Sequence, residues 1–143
     1  MAKNLTAFLS QNAKKIDNVT FVASDRFVDP ETGEPMPWEI CCITAAENAA
    51  LRKSCMRTVP VPGHKGQFTQ DFDANAYLAK ISVRCTVFPN LHDAELQQSY
   101  GVMGAEQLIT TMLSPAEFED YSEKVLQTNG FQSGEEMVEE AKN

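Results

Sequence analysis

The spacing of apolar positions changes several times along the chain, and each change predicts an element. Leu5, Phe8, Leu9 and Asn12 fall at helical intervals, predicting a short amphipathic helix over Leu5–Ala13. The period then drops to two. Val19, Phe21 and Ala23 alternate with Thr20 and Ser24, and Trp38, Ile40 and Cys42 alternate with Glu39 and Cys41. Between these runs, Asp29-Pro30-Glu31-Thr32-Gly33-Glu34 joins the fixed φ of Pro to the permissive φ of Gly, so the segment reads as a β-hairpin. Pro35 and Pro37 lack the N–H that a ladder needs, which places the second strand after them or at a sheet edge. A lone hairpin is marginal in water, so this one must pack on helices.

From Thr44 onward the period is mostly helical. Thr44 with Glu47 and Ser114 with Glu117 fit capping boxes, the second with Pro115 at the first helical position. Ser133 with Glu136 is a weaker third case, opening a last helix that runs to about Lys142. Asp73 or Asp71 is placed to cap a helix whose apolar stripe is Ala74, Leu78, Ile81, Cys85 and Phe88, with Pro89 as its stop. Two short helices follow, over Asn90–Tyr100 and Gly104–Leu113, broken near Gly101 and Gly104. Phe118, Tyr121 and Val125 mark one face of a helix ending near Asn129-Gly130. Thr58–Gln70, containing Val59-Pro60-Val61-Pro62-Gly63-His64-Lys65-Gly66, reads as a long loop. The expected fold is α+β and mainly α: an N-terminal β-hairpin packed on a bundle of about five to six helices, as a single domain over residues 1–143.

Composition narrows the function classes. The chain has 143 residues, 12 Lys+Arg against 20 Asp+Glu, and 43% apolar residues. A formal charge of −8 argues against nucleic acid and anionic membrane as partners, since both require a dominant positive field. No apolar run approaches the roughly 18–20 residues needed to span a bilayer. The opening Met1-Ala2-Lys3-Asn4-Leu5 also lacks the apolar stretch of a secretory signal, so the cytoplasm is the expected compartment. There the four cysteines, Cys41, Cys42, Cys55 and Cys85, are expected to be free, buried thiols. Neither they nor His64 and His92 have the spacing of a zinc site, and no cofactor is expected.

Two constellations resemble chemistry and fall short of it. Asp71, Asp73 and Asn75 open like a calcium loop, but Ala76 and Ser82 stand where Gly and a bidentate Glu are required, which leaves helix-capping acids. Cys55 and His64 would be the best thiol–imidazole pair, yet Leu51 and Cys55 share a helical face that makes the thiol a core residue. No phosphate loop, dinucleotide fingerprint or nucleophile elbow occurs, and the chain is not expected to be an enzyme.

Two other features point to binding. Between Glu47 and Asp71 there is no acid, while Arg52, Lys53, Arg57 and Lys65 supply positive charge; the 29 residues from Pro115 hold eight acids and two lysines. This polarity is either two solvated faces or a surface that aligns subunits or a partner. Tyr100-Gly101-Val102-Met103-Gly104, followed by Leu108, Ile109, Met112 and Leu113, is either core or an adaptable apolar groove for an amphipathic helix. The candidate partner-binding residues are therefore Tyr100, Val102, Met103, Leu108, Met112, Arg52 and Arg57.

Several segments together resemble the XkdN-like tail assembly chaperones of tailed bacteriophages and prophages. They are Pro37-Trp38-Glu39-Ile40, Leu51-Arg52-Lys53-Ser54-Cys55, Tyr77-Leu78-Ala79-Lys80, and Phe88-Pro89-Asn90-Leu91 through Ala94-Glu95-Leu96-Gln97 to Ser99-Tyr100-Gly101-Val102-Met103-Gly104-Ala105-Glu106. The resemblance extends over nearly the whole chain and assigns no catalytic or ligand residue. It implies a non-enzymatic role in the cytoplasm of the bacterial host: binding the tape-measure protein and keeping it soluble during tail tube assembly. The tail tube protein and self-association are further contacts consistent with that role. The rival is a structural tail accessory, a tube or baseplate component retained in the virion.

Overall fold

The computed structural model describes residues 4–131. Strands β1 (Val19–Phe21) and β2 (Trp38–Ile40) pair antiparallel, with Val19 opposite Ile40 and Phe21 opposite Trp38. The predicted hairpin is therefore present, and its second strand begins directly after Pro37. Its turn closes through Asp29 N–H to Glu34 O (2.9 Å) and Gly33 N–H to Asp29 O (2.8 Å), with Gly33 at φ 75°. Trp38 and Ile40 point into the core, while Glu39 faces outward and accepts from Asn18 Nδ2 at 2.6 Å.

Helix α1 (Ala45–Ser54) leads into β3 (Met56–Pro60) and β4 (Phe68–Phe72), which pair from Met56↔Phe72 to Pro60↔Phe68. The segment expected as a long loop is thus a second hairpin. It escapes sequence reading because most of its residues are exposed on both faces, and apolar alternation arises only where one face is buried. Its base is tied down by buried Cys55 and Phe72 and by Asp73 N–H to Cys55 O (2.9 Å).

Helix α2 (Ala74–Cys85) is capped by Asp73, whose Oδ1 accepts from Ala76 N–H at 3.1 Å. It buries Tyr77, Ile81, Ser82 and Cys85. The expected stripe through Phe88 is corrected: the helix stops at Cys85, and Thr86–Phe88 form β5, which joins β2 to give the sheet order β1-β2-β5. Thr86 and Val87 are β-branched and favour extended backbone, and β2 offers them a ladder. Phe88 consequently leaves the core face and is 47% exposed. Thr86 Oγ1 holds the corner, lying 2.6 Å from both Ser82 O and the Tyr121 hydroxyl.

Helices α3 (Ala94–Ser99), α4 (Ala105–Met112) and α5 (Pro115–Thr128) complete the described fold. The Ser114 box on α5 is reciprocal: Ser114 Oγ accepts from Glu117 N–H (3.3 Å) and Glu117 Oε1 from Ser114 N–H (2.9 Å). The Thr44 box is only half made. Thr44 Oγ1 accepts from Glu47 N–H, but the Glu47 carboxylate pairs with Arg84 on α2 instead. Gly130, at φ 96°, takes the left-handed position expected just past α5. The predicted helix Ser133–Lys142 and its cap lie outside the described residues.

The architecture is α+β and mainly helical. One cluster of buried side chains unites sheet and helices, centred on Trp38, whose ring meets Tyr121 edge-on at 4.9 Å and 65°. Asn129 ties α5 back to β2 and α2: its Oδ1 accepts from Ile43 N–H (2.9 Å) and its Nδ2 donates to Cys85 Sγ (3.5 Å). The expected helix at Leu5–Ala13 is corrected to a 3₁₀ turn at Thr6–Phe8 with no buried residue. So short a helix is unstable without a packing partner, and this one buries no side chain against the described residues.

Candidate functional site

An apolar groove opens where the sheet meets α3 and α4. Phe27 and Met36 flank the first hairpin's turn, Trp38 on β2 is the floor, and Phe88 and Pro89 close the end of β5. Leu96 and Tyr100 come from α3 and its C-cap, and Met112 from the last position of α4. The groove measures about 210 Å³ and its lining is dominated by carbon. Trp38 and Met112 are buried, whereas Phe88 and Tyr100 remain 47% and 36% exposed and form its lips.

A fixed cation braces one side. Arg26 lies over the Phe27 ring at 5.1 Å, donates to Met112 O at 2.7 Å and reaches Glu117 Oε1 at 2.6 Å. It thereby links the chain after β1 to the α4–α5 junction. The Arg26 guanidinium and the Ser114 N–H together hold the Glu117 carboxyl down at about 2, well below its ordinary 4.5. The sign of the resulting pH dependence follows directly. Folding favours ionised Glu117, so its stabilisation is complete above about pH 4.5 and fades as pH falls towards 2. Thermal melts of wild type and Glu117→Gln should therefore differ most above pH 5 and converge below pH 3. A gap that stays constant across that range would show that the ion pair does not contribute.

The structure separates the residues expected to bind a partner. Tyr100 and Met112 share the groove. Met103, 91% exposed, sits instead on a wider hollow with Val83, His92 and Gly104–Gln107. Val102 is half-buried against the core, and Leu108 is wholly inside it. Arg57, on the exposed second hairpin, is flanked by Asp71 at 3.0 Å and Asp73 at 3.5 Å, so acids from beyond the basic run fold back beside it. Arg52 is half-buried near the end of α1. Sequence reasoning missed Phe27, Met36, Trp38, Phe88, Pro89 and Leu96 as parts of the groove. The available signal was the pairing of a large apolar residue with proline at Pro37-Trp38 and Phe88-Pro89.

With this geometry in hand, the likeness to known proteins has a site to refer to. The model of the phage XkdN-like tail assembly chaperone proteins matches residues 5–142. The chain belongs to that family. Its relatives include the phage-like element PBSX protein XkdN of Bacillus subtilis (strain 168), 26% identical over 142 residues, covering 98% of this chain and 94% of the relative. A second, the uncharacterized protein YqbN of the same strain, is 29% identical over 139 residues, 96% of this chain and 91% of YqbN. The crystal structure of YqbN superposes with a TM-score of 0.76 at 24% identity, over 92% of this chain and all of that one, which establishes the shared fold.

Other candidate chemistry in this family member resolves as packing. Cys55 sits at the buried base of the second hairpin and His64 in its turn, five ladder pairs away, so the thiol and imidazole do not meet. Cys85 is buried, and burial pushes its thiol up to about 12, which makes it a poor nucleophile. Cys41 and Cys42 are half-buried, and all four cysteines are free. Asp73 is occupied in capping α2, as expected, whereas Asp71 lies in β4 and pairs with Arg57 instead of capping a helix. Among the described residues no helix is long and apolar enough to cross a membrane.

Proposed function

We propose that this chain is a non-enzymatic chaperone that binds the tape-measure protein in the cytoplasm of the bacterial host and keeps it soluble until tail tube subunits surround it. One observation carries the reading: an apolar groove with exposed aromatic lips on a chain of net charge −8. A long amphipathic helix presents apolar stripes that associate with one another until they are covered. Side chains projecting from such a stripe at i and i+4 can anchor in a groove of this size, while the chain's net negative charge keeps the complex dispersed. Tyr100 and Met112 are the contact residues within the groove. Val102 and Met103 extend the surface beyond it, Leu108 supports it from the core, and Arg52 and Arg57 steer the partner. Modest affinity per site, repeated along a long client, permits displacement by the tube.

Co-expression and pull-down with the tape-measure protein test this directly. Phe88→Asp combined with Tyr100→Asp changes only exposed positions, so the variant should fold while capturing at least about tenfold less client, the loss of roughly one anchor. Equal capture by the variant would overturn the groove as the docking surface. A tape-measure protein that stays dispersed without this chain would overturn the chaperone role itself.

A further inference from the structure

We infer that residues 4–18 form an exchangeable arm, and that Leu5, Phe8 and Leu9 of one copy occupy the apolar groove of a second copy of this chain. The arm exposes large apolar side chains: Leu5 is 73%, Phe8 80% and Leu9 46% exposed at and beside one 3₁₀ turn, and Ile16 is 68% exposed further along. Single exposed apolar residues are ordinary, but three gathered at one 3₁₀ turn signify a contact surface. The groove is its complement in chemistry and scale. At about 210 Å³ it lies below the roughly 300–1,000 Å³ of small-molecule sites and suits an aromatic side chain with aliphatic neighbours.

Charge permits two bodies to associate through the arm, and geometry favours a neighbour over the arm's own body. Lys3, Lys14 and Lys15 against Asp17 give residues 1–18 a charge of +2, so with −8 overall the remaining residues carry −10. Acidic bodies repel one another, and a basic arm laid across a second body offsets that repulsion. The arm leaves its own body on the outward face of β2, where Asn18 Nδ2 donates to Glu39 Oε2 at 2.6 Å. The groove floor, Trp38, is the adjacent residue and points to the opposite face of that strand. Exchange between two copies doubles each contact. An aromatic anchor alone hides roughly 150–250 Å², so two arms with their flanking leucines approach the ~1,000 Å² that a specific interface requires.

The arm and the client then compete for one surface. The competition rests on the chaperone reading above; the exchange itself does not, and its test uses no client. Light scattering behind size exclusion should give the full chain a mass at least twice 15.8 kDa. The chain lacking residues 1–17, and separately the Phe88→Asp, Tyr100→Asp variant, should each run at monomer mass with unchanged circular dichroism. Mixed one to one, they can form only one of the two arm–groove contacts, so any two-chain species should be far weaker than that of the full chain. A monomeric full chain, an arm deletion that leaves the mass unchanged, or a groove variant that keeps the two-chain mass would each overturn the exchange. Client capture by the armless chain would then still leave the chaperone reading standing. Conversely, dimers that never capture client would keep the exchange and remove that reading.

Discussion

Trp38→Ala is expected to lower stability by about 3–5 kcal/mol, the cost of removing a large aromatic from a packed core. Its ring is 2% exposed and stands where three parts of the fold converge: β2 itself, Tyr121 of α5 at 4.9 Å, and Phe27 from the hairpin turn at 6.2 Å. No neighbour can collapse into the space without leaving the Thr86–Tyr121 hydrogen bond or the Arg26 brace behind. Domains of this size have only about 5–15 kcal/mol of net stability, so the variant would sit close to unfolding. Urea titration followed by far-ultraviolet circular dichroism should show the midpoint fall by at least about 1 M, given slopes of about 1–3 kcal/mol per molar. Trp38→Phe should lose distinctly less. An unchanged midpoint in Trp38→Ala would mean that the aromatic cluster is not the centre of the core.

Leu108→Ala should also be severe, at about 2–5 kcal/mol, whereas Met103→Asp, five residues earlier, should stay within about 0.5 kcal/mol of wild type. The contrast tests the orientation of α4. Leu108 is wholly buried, between Ala105 on the preceding turn and Met112 on the next, and Met103 is 91% exposed just before the helix begins. Both positions lie in the apolar run that sequence alone leaves as either core or a binding surface. A stability loss at Leu108 that also abolishes client capture would be an effect of folding, so capture should be read only in variants whose melts match wild type. If the two substitutions cost the same, α4 would have to present a different face to α2 and α5.

That pair also shows where sequence reading succeeds and where it stops. Helices with a polar cap and a one-sided stripe were legible: Ser114 and Asp73 set the starts of α5 and α2, and Gly130 marked the end of α5. The first hairpin was legible because Trp38 and Ile40 are buried and Glu39 is not. β5 was not, since Phe88 continues the helical spacing of Ile81 and Cys85 and nothing local tells the chain that β2 lies alongside. The second hairpin was hidden for the reason that it buries so little. For the groove, the residue types were readable but their sidedness was not. Spacing identifies Leu108, Met112 and Tyr100 as apolar together, and only tertiary packing puts Leu108 inside while leaving Tyr100 at a lip. The cooperation of Phe27 and Met36 with Tyr100 and Met112 is a matter of chain crossings more than 50 positions apart.

The chain contains a single tryptophan, and it is the floor of the groove. Its indole emission is therefore an intrinsic, label-free gauge of occupancy. Because Trp38 is already only 2% exposed, an occupant should act on its emission through contact and packing, read as a change in intensity, and a saturating titration would yield the dissociation constant of that occupant without any modification of the protein.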